Sequence, residues 1–379
     1  MRLLHTADWH LGKIVNEFSM LPLQMQYLEQ LKTYLAHHPV DAMIMAGDLY
    51  DRAVPAKEAV QLANDFFTYV TQELGIALFI IAGNHDSNER LEYGADLFAH
   101  SQLFIEGTLK RHVRKVAWRG ANFYLIPYAD PREVAAVLED DMIKTPEDAI
   151  RAQIQTIKAE DWDPKALNIL IYHGFVVPDP DHLPEESDSE RPLSIGTIEY
   201  VPAALFKDFD YVALGHLHKA QRVGSENIRY SGSPIKYSKS EAHHRKQNLL
   251  IDLTKDTLKV KSLDITVPLD LRIIRGTFKE LMKEQSDDFL FIELEDMHYI
   301  TDAMRRLRQN YPNTMALEYI YQTSRDQLQM HHSKEKLEKL SLAQLFSEFY
   351  ESFVEVPLEP DQEMIIHKML NEINEEEKA

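Results

Sequence analysis

Five short segments, far apart in the sequence, carry side chains that could bind hard metal ions. They are Asp8-Trp9-His10, Gly47-Asp48, Gly83-Asn84-His85-Asp86, Tyr172-His173-Gly174 and Gly215-His216-Leu217-His218. Carboxylate, imidazole and carboxamide groups are the ligands expected for a pair of divalent cations such as Mn²⁺, and the chain has no cysteine to supply thiolates. Because paired divalent ions suit phosphate chemistry, hydrolysis of a phosphate ester is the leading hypothesis.

Most of these segments follow a short apolar run that is typical of a β-strand. The runs cover residues 2–5, 40–46, 76–82, 168–172 and 209–214, and helix patterns cover residues 21–37, about 56–73 and 89–99. The first hundred residues therefore alternate strand and helix, which predicts a parallel sheet with right-handed crossovers. The ligand segments would then lie in loops at one edge of the sheet, where α/β proteins build their sites.

A two-metal site needs a carboxylate that can bind both ions, and Asp48 is the candidate for this bridge. One histidine of Gly215-His216-Leu217-His218 would belong to each ion. The remaining ligands divide into Asp8 and His10 for one ion, and Asn84 and His173 for the other. The glycines beside them allow sharp turns and a close approach of the backbone.

The same residues suggest a mechanism. The two ions would polarise the phosphoryl oxygens and lower the pKa of a bridging water, and the resulting hydroxide would attack phosphorus in line. His85 would stabilise or protonate the leaving oxygen. Asp86 would orient the His85 ring, since a carboxylate often fixes the tautomer of a histidine. His85 and Asp86 are thus the predicted catalytic residues.

Taken singly, the segments also have plainer interpretations. Asp-x-His is typical of surface or capping pairs, Gly-Asp is typical of turns, and a lone His173 is equally compatible with a buried histidine whose hydrogen bonds are satisfied. Gly83-Asn84-His85-Asp86 is a rarer string. Because all five segments occur together and in order, a metal site is the favoured interpretation.

Composition limits the class of protein. The chain has 379 residues, which favours two or more domains, and 44% hydrophobic with 27% charged residues indicates a soluble globular protein. The net charge of −20 argues against autonomous binding to nucleic acid, although metal ions and a cationic partner could offset it. The lack of cysteine fits a reducing compartment, and we expect no secretory signal and no membrane segment, hence a cytoplasmic protein.

The rest of the chain predicts further elements and two boundaries. Two strands surround Arg119-Gly120, helices cover residues 132–138 and 147–159, and residues 179–190 form an exposed acidic loop. After a boundary near residue 268, strands at 271–278, 289–295 and 315–321 and a helix at 301–310 predict a small α+β domain. A polar linker at 331–339 then leads to an amphipathic helix at 341–353 and a short helix at 361–373.

The chain resembles the calcineurin-like metallophosphoesterases and, more narrowly, the SbcD family, the nuclease subunits of bacterial SbcCD complexes. The strings that carry the resemblance are residues 4–12, 46–52, 82–87, 213–218 and 230–238. The resemblance implies a metallophosphoesterase β-sandwich flanked by helices at 1–268, a small α+β capping domain that touches DNA at 269–330, and a linker with C-terminal helices at 331–379. The C-terminal helices would dock on the ATPase SbcC.

The resemblance also implies an activity and a ligand set. The activity is that of an ATP-regulated, Mn²⁺-dependent DNA nuclease of repair and recombination, a 3′–5′ double-strand exonuclease and single-strand or hairpin endonuclease associated with the nucleoid. The implied ligands are Asp8, His10, Asp48 and His218 for one metal, Asp48, Asn84, His173 and His216 for the other, with His85 as the catalytic histidine. Archaeal relatives carry a second functional histidine where this chain has Asp51, so no role is assigned to position 51.

Partner contacts follow from the resemblance, each beside a plainer alternative. The family implies a homodimer within a heterotetramer, formed by helices at about 56–73 and 89–99, whose apolar faces could instead pack on the sheet. Arg305, Arg306 and Arg308 could contact DNA phosphate or form a solvated helix face. The apolar stripe from Leu342 to Phe353 could bind a groove of the ATPase or belong to the core.

Two other functions remain open. The first is a phosphatase for small or protein-bound phosphates, against which the predicted capping domain and C-terminal helices argue. The second is a non-enzymatic scaffold with the metallophosphoesterase fold. Scaffolds of this kind usually lack the catalytic histidine or a ligand, whereas this sequence has all of them.

Overall fold

The computed structural model describes residues 1–160, 162–179, 183–190 and 200–320, with positions 343, 344, 346, 347, 350, 358, 359, 362–366, 368 and 369. The chain divides into two compact units, residues 1–320 and 321–379. In the second unit the described positions from 343 to 350 and from 362 to 369 are helical. The predicted linker at 331–339 and most of the Leu342–Phe353 stripe lie outside the described residues.

The first unit contains all of the named strands and helices. The strands are β1 Arg2–Thr6, β2 Ile14–Val15, β3 Phe18–Ser19, β4 Ala42–Met45, β5 Ala77–Ile81, β6 Leu103–Glu106, β7 Arg114–Trp118, β8 Ala121–Ile126, β9 Leu167–His173, β10 Val176–Val177, β11 Val201–Pro202, β12 Tyr211–Gly215, β13 Gln221–Val223, β14 Ser225–Tyr230, β15 Gln247–Leu253, β16 Leu258–Asp264, β17 Leu271–Gly276, β18 Phe289–Leu294 and β19 Thr314–Tyr319. The α-helices are α1 Leu21–His37, α2 Lys57–Thr68, α3 Asn88–Glu92, α4 Ala95–Ala99, α5 Pro131–Leu138, α6 Pro146–Glu160, α7 Phe278–Leu281 and α8 Ala303–Leu307. A π-helical turn, Tyr69–Glu73, extends α2.

Two six-stranded sheets form the centre of this unit. The first has the order β16-β15-β1-β4-β5-β6, and the second has the order β13-β14-β12-β9-β8-β7. Strands β1, β4, β5 and β6 are parallel, as the strand–helix alternation predicts. Strands β8, β9, β12 and β14 are parallel as well, so each sheet has a run of strands that end on the same side.

The sheets face each other across a mainly apolar layer, which also contains His5 hydrogen-bonded to Tyr211 Oη. Leu3, Ile44 and Phe79 of the first sheet pack against Phe123 and Ile171 of the second. The buried faces of α1 and α2 cover the other side of the first sheet, and α6 covers the other side of the second. Because the inner strands are apolar on both faces, they are covered on both sides. The predicted β-sandwich flanked by helices is confirmed.

A small parallel sheet follows, with the order β17-β18-β19. Helices α7 and α8 pack on one side of it through Phe278, Leu281 and Leu307. The prediction that Phe278 ends a strand is wrong: Thr277 caps α7 through its hydroxyl and the Glu280 amide, which starts the helix at Phe278.

The helix predicted at residues 89–99 is also wrong in one respect. It is two short helices, α3 and α4, because Gly94 between them has φ +77°, a left-handed conformation that ends a helical turn. Within the described residues, no helix has both the length and the apolar character needed to cross a membrane.

Candidate metal centre

The five ligand segments meet where the parallel strands of both sheets end. Asp8 and His10 follow β1, Asp48 follows β4, Asn84 and His85 follow β5, His173 ends β9, and His216 and His218 follow β12. The two sheets therefore contribute to one site from opposite sides. The exposed fractions are 0% for Asp8 and His173, 1% for His10 and His218, 2% for Asp48 and 7% for His216. Asn84 and His85 are half-buried, which places them at the rim.

One half of the site contains Asp8, His10 and His218. Their ligand atoms lie within 4.8 Å of one another. The Nε2 atoms of His10 and His218 are 3.1 Å apart. Two imidazole nitrogens at this distance attract each other only when a proton or a cation lies between them, so the pair is arranged to share a positive charge.

Asp48 lies between the two halves. Its Oδ2 atom is 3.6 Å from His10 Nε2 and 3.5 Å from His173 Nε2. Its Oδ1 atom accepts a hydrogen bond of 2.8 Å from the backbone amide of His85. One oxygen thus faces ligands of both halves while the other is held by the backbone, which is the arrangement required of a bridging carboxylate.

The other half contains His173, Asn84 and His216. His173 Nδ1 donates to the carbonyl of Ala46 at 2.9 Å, which leaves its Nε2 as an acceptor 2.9 Å from Asn84 Oδ1. The rings of His173 and His216 are 5.6 Å apart, edge to face. The second predicted ligand set is therefore brought together around a histidine whose tautomer is fixed by the main chain.

The residues fit divalent cations. Asp8 Oδ2 is buried without a hydrogen-bond partner among the described residues, although buried polar atoms are nearly always satisfied. Burial, and then the charge of Asp48, raise the pKa of the Asp8 carboxyl well above its ordinary value. Burial lowers the pKa of His10 and of His216 well below the ordinary value, so both are neutral and able to bind metal. A cation between these groups would satisfy the oxygen and offset the repulsion between the carboxylates.

The backbone around the site is unusual in conformation. Asp8, His10, Asp48 and His216 have φ values of 54°, 45°, 54° and 112°. A positive φ is uncommon outside glycine and concentrates at functional sites. These turns direct neighbouring side chains into one small volume.

Glycine is required at two positions beside the ligands. A Cβ atom at Gly47, which has φ +92°, would overlap His173 Nδ1, and one at Gly83 would overlap Asp48 Oδ1. Any larger residue at either place would displace a predicted ligand.

The prediction that Asp86 orients the His85 ring is wrong. His85 Nδ1 donates to the backbone carbonyl of Asp51 at 2.9 Å. The Asp86 carboxylate instead accepts from the amides of Leu49, Tyr50 and Gly83 at 3.1, 2.9 and 3.0 Å. Because a buried carboxylate satisfies backbone amides very well, Asp86 ties the turn after β4 to the turn after β5 and has no contact with the imidazole.

Position 51 lies inside the site, although no role was assigned to it. The Asp51 carboxylate is 3.8 Å from His10 Nδ1 and 2.8 Å from Lys13 Nζ. His10, Asp51 and His85 form a third group whose ligand atoms lie within 4.8 Å of one another. Asp51 therefore contributes a carboxylate on the face of His10 that is opposite to His218.

Gln24 is a functional position that sequence analysis missed. Its Nε2 donates to the carbonyls of Trp9 and His10 at 3.0 and 2.8 Å, and its Oε1 accepts from the amide of Gly12 at 2.9 Å. Gln24 is fully buried on the inner face of α1. The sequence offered one signal for this role: Gln24 is a polar residue on the side of α1 whose other buried residues are apolar or aromatic.

Two acidic residues behind His218 were also missed. Glu190 Oε1 accepts from the amide of His218 at 2.6 Å, and Glu241 Oε1 lies 3.1 Å from His218 Nδ1. Burial raises the pKa of Glu190 to about 7. Burial alone would raise the pKa of Glu241, but Lys246 and His218 lower it well below its ordinary value. The acidic loop is thus not simply exposed: Ser187 is buried and Glu190 reaches the site.

Comparisons with family models identify the family of the chain. The family model of the calcineurin-like phosphoesterases matches residues 1–220. A second family model, SbcD_C, the type 5 capsule protein repressor C-terminal domain, matches residues 267–353.

Two solved structures are similar in part. One is the protein TT1561 of Thermus thermophilus, with 15% identity, a TM-score of 0.39 and coverage of 69% of this chain and 98% of that chain. The other is a dimetal phosphatase from Danio rerio, with 14% identity, a TM-score of 0.39 and coverage of 69% and 96%. Since the family match covers more than half of the 379 residues, the chain belongs to the calcineurin-like metallophosphoesterase family, and it is a phosphodiester hydrolase of the SbcD type.

Proposed function

We propose that this protein is a Mn²⁺-dependent DNA nuclease that trims double-stranded ends in the 3′–5′ direction and cuts single strands and hairpins, as the partner of an SbcC-type ATPase in DNA repair and recombination. The observation that carries the proposal is the convergence of seven candidate ligand side chains at the strand ends of both sheets, together with Asp8 Oδ2, which is buried without a hydrogen-bond partner among the described residues. The match of residues 267–353 to the SbcD_C family model favours a nuclease over other phosphoesterases.

The ligand set would hold one ion with Asp8, His10, Asp48 and His218 and another with Asp48, Asn84, His173 and His216. When bound, the ions supply Lewis acidity and an activated water nucleophile. The chain itself supplies charge balance and orientation. Asp48 is held in place by the His85 amide and joins the two halves of the site. The buried strand ends exclude bulk water from the ligands.

His85 is proposed to stabilise or protonate the leaving oxygen. Its ring is half-buried, and its centroid lies 4.7 Å from that of His10. Because Nδ1 is committed to the Asp51 carbonyl, only Nε2 is free to donate a proton at the rim. A polarised phosphodiester bound at the rim would meet this nitrogen.

Contact with DNA is proposed for the small domain, residues 269–330, of which 321–330 lie outside the described residues. Two arginines of α8 have internal partners: Arg305 donates to Asp302 at 2.6 Å, and the Arg306 guanidinium lies 4.3 Å from the Phe278 ring centroid. Arg308 donates to the Thr314 carbonyl at 3.1 Å. All three arginines are exposed, and each already has a partner within this domain, so an acidic chain would depend on its metal ions and its ATPase partner to hold DNA.

A homodimer and an ATPase partner are part of the proposal. Apolar side chains of the α2 to α4 region stay exposed rather than packing on the sheet: Tyr93 is 84% exposed and Leu97 is 74% exposed. An apolar face of this kind favours a protein contact, and the mass of the chain in solution tests it. The C-terminal helices are proposed to bind the ATPase.

The proposal is tested by Mn²⁺-dependent cleavage of DNA ends. His85→Ala should lower the cleavage rate by a factor of about a hundred or more, since general acid catalysis is worth about 10²–10⁴-fold. It should leave the bound Mn²⁺ unchanged, because the ring holds no ion in the proposed scheme. His38→Ala, an exposed histidine at the opposite end of the sheet, is the matched control. Equal cleavage by the wild type and His85→Ala would refute the proposed role of His85.

The phosphatase alternative is separated by substrate. A generic phosphodiester and a phosphomonoester should be assayed in parallel with a duplex labelled at either end, with and without the ATPase and ATP. Preferential turnover of the monoester would contradict the nuclease proposal. Loss of label from the 3′ end before the 5′ end is the expected polarity.

A further inference from the structure

A group of buried polar side chains lies behind His218, on the side away from the proposed metal ions. Glu241 and Ser233 are 0% exposed and Lys246 is 8% exposed. Glu241 Oε2 accepts from Lys246 Nζ at 2.5 Å, and Lys246 also donates to Ser233 Oγ at 2.7 Å. All three residues belong to the segment between β14 and β15, which supplies none of the predicted ligands.

This group holds His218 at two points. Glu241 Oε1 accepts from Nδ1 of the ring at 3.1 Å, and Lys246 Nζ donates to the His218 carbonyl at 2.9 Å. The Ser189 hydroxyl lies 2.7 Å from the same Nδ1 and also hydrogen-bonds to Glu241. With its proton on Nδ1, the neutral ring presents the Nε2 lone pair toward His10, where an ion would be bound.

A purely stabilising role explains this arrangement poorly. A buried ion pair loses so much hydration that well-packed apolar residues of similar size are often as stable. Glu241 is nevertheless surrounded by donors, since Ser187, Ser238 and Ser233 lie 3.2, 3.3 and 3.5 Å from its oxygens. These contacts fix both oxygens in place, which is what a carboxylate needs in order to orient a metal-binding histidine.

In the other half, which contains His173 and His216, the support of His173 is of a different kind. His173 Nδ1 donates to the main-chain carbonyl of Ala46. A change at Glu241 should therefore affect one half of the centre and spare the other.

We propose that Glu241, held by Lys246, is a positioning residue for His218 that sets the affinity for the ion bound by Asp8, His10 and His218. The inference rests on the proposed metal centre. Glu241 acts through His218 and touches neither ion nor substrate.

The test is a titration of the full metal-free chain with MnCl₂, followed by calorimetry and elemental analysis. The wild type should bind two ions. Glu241→Gln should weaken one of the two sites about ten- to hundredfold, the range measured for outer-shell partners, and leave the other within about threefold. Glu106→Gln is the matched control: Glu106 is a buried carboxylate, 1% exposed, paired with Lys110 and Arg114. It should leave both sites unchanged.

A second readout follows the tautomer directly. In the metal-free chain labelled with ¹⁵N-histidine, His218 should show a protonated Nδ1 and an unprotonated Nε2, and Glu241→Gln should lower the Nδ1-protonated fraction. If Glu241→Gln does not fold, Ser189→Ala, which removes one hydroxyl from a half-buried loop position, should weaken the same site about tenfold.

The outcomes separate the two proposals. A wild type that binds no Mn²⁺ would remove the metal centre and this inference with it. Two intact sites in the wild type, with both sites unchanged or both equally weakened in Glu241→Gln, would overturn the positioning role alone. For a folded Glu241→Gln chain, an unchanged His218 tautomer would do the same.

Discussion

The two halves of the metal centre are held by different kinds of groups. Around His10 and His218 the supports are side chains: Gln24 binds the His10 carbonyl, and Glu241 binds the His218 ring, whereas Asp8 accepts from the His216 amide. On the other side the supports come from the main chain. The Ala46 carbonyl fixes His173 and the His85 amide fixes Asp48.

This difference decides how each half responds to substitution. Main-chain supports do not depend on the identity of a side chain, so the half around His173 should tolerate changes in neighbouring side chains, except at Gly47 and Gly83, where an added Cβ would overlap His173 or Asp48. The half around His218 depends on side chains that can be removed one at a time. The predictions that follow test this contrast, starting with changes that act on both halves.

Asp48→Asn should have the largest effect because it removes the charge shared by both halves. Loss of the bridge should release both ions and lower phosphodiester cleavage by about a thousandfold or more, since bound ions contribute several kcal/mol and each 1.36 kcal/mol is tenfold. Metal content and cleavage rate are the measurements. Retention of one ion at wild-type affinity would show that the halves are independent.

Gly83→Ala should come next. Its Cβ would overlap Asp48 Oδ1, so the carboxylate must move, and a misplacement of about 1 Å costs about a hundredfold in rate. Gly276→Ala, in strand β17, is the control because its Cβ would meet no atom closer than 3.5 Å. Cleavage and Mn²⁺ affinity measure both variants. Normal activity of Gly83→Ala would mean that Asp48 is not confined by this contact.

Asp86→Asn should reduce stability and leave the mechanism intact. The carboxylate accepts three backbone amides, and an amide in its place leaves one of them poorly satisfied, at a cost of about 1–3 kcal/mol in the free energy of unfolding. Denaturant unfolding measures this loss. The pH profile of cleavage by the metal-loaded enzyme should match the wild type, and a shifted profile would restore Asp86 as the partner of His85.

His5→Gln should produce the smallest effect, seen only in acid. His5 of β1 is fully buried and hydrogen-bonded to Tyr211 Oη at 2.9 Å and to the Leu214 carbonyl at 3.2 Å, and burial lowers its pKa from 6.5 to about 3. A lowered histidine pKa stabilises the fold above pH 6.5, and this contribution is lost as the pH falls toward 3.

Between pH 7 and 5 the metal-free wild type should therefore lose about 2 kcal/mol more stability than His5→Gln, at 1.36 kcal/mol per pKa unit. Unfolding in denaturant at the two pH values measures the difference. The exposed His38→Gln is the control and should behave as the wild type. An identical loss in His5→Gln would show that His5 is not buried as a neutral ring.

The sequence predicted the half of the site that depends on strand order. Parallel strands end at a common edge, so Asp48, Asn84 and His173 could be brought together from their positions after apolar runs. The supports of the other half could not be found in this way. Gln24 lies 14 residues from His10 and Glu241 lies 23 residues from His218, but neither directly follows a strand, and only the packed structure brings them to their partners. Asp86 was misassigned because it directly follows His85 in the sequence, which suggested that its carboxylate binds the His85 ring. In the structure the carboxylate accepts hydrogen bonds from backbone amides instead.

The fold was predicted on the same basis and with the same limits. The apolar periodicity located α1 at residues 21–37, and its bounds in the structure are Leu21–His37. Periodicity did not reveal the break at Gly94, because apolar spacing is preserved across it while the backbone is not. It also did not assign β15, which pairs antiparallel with β1, to the first sheet, since pairing between distant strands leaves no local pattern.

The left-handed backbone at Asp8, Asp48 and His216 limits which residues these positions can accept. Asparagine adopts this conformation readily, whereas a β-branched residue does so only with strain. A variant that removes the negative charge of Asp8 or Asp48 and keeps the turn is therefore best made with asparagine. Valine or isoleucine there would distort the turn and destroy the shape of the cleft together with its activity.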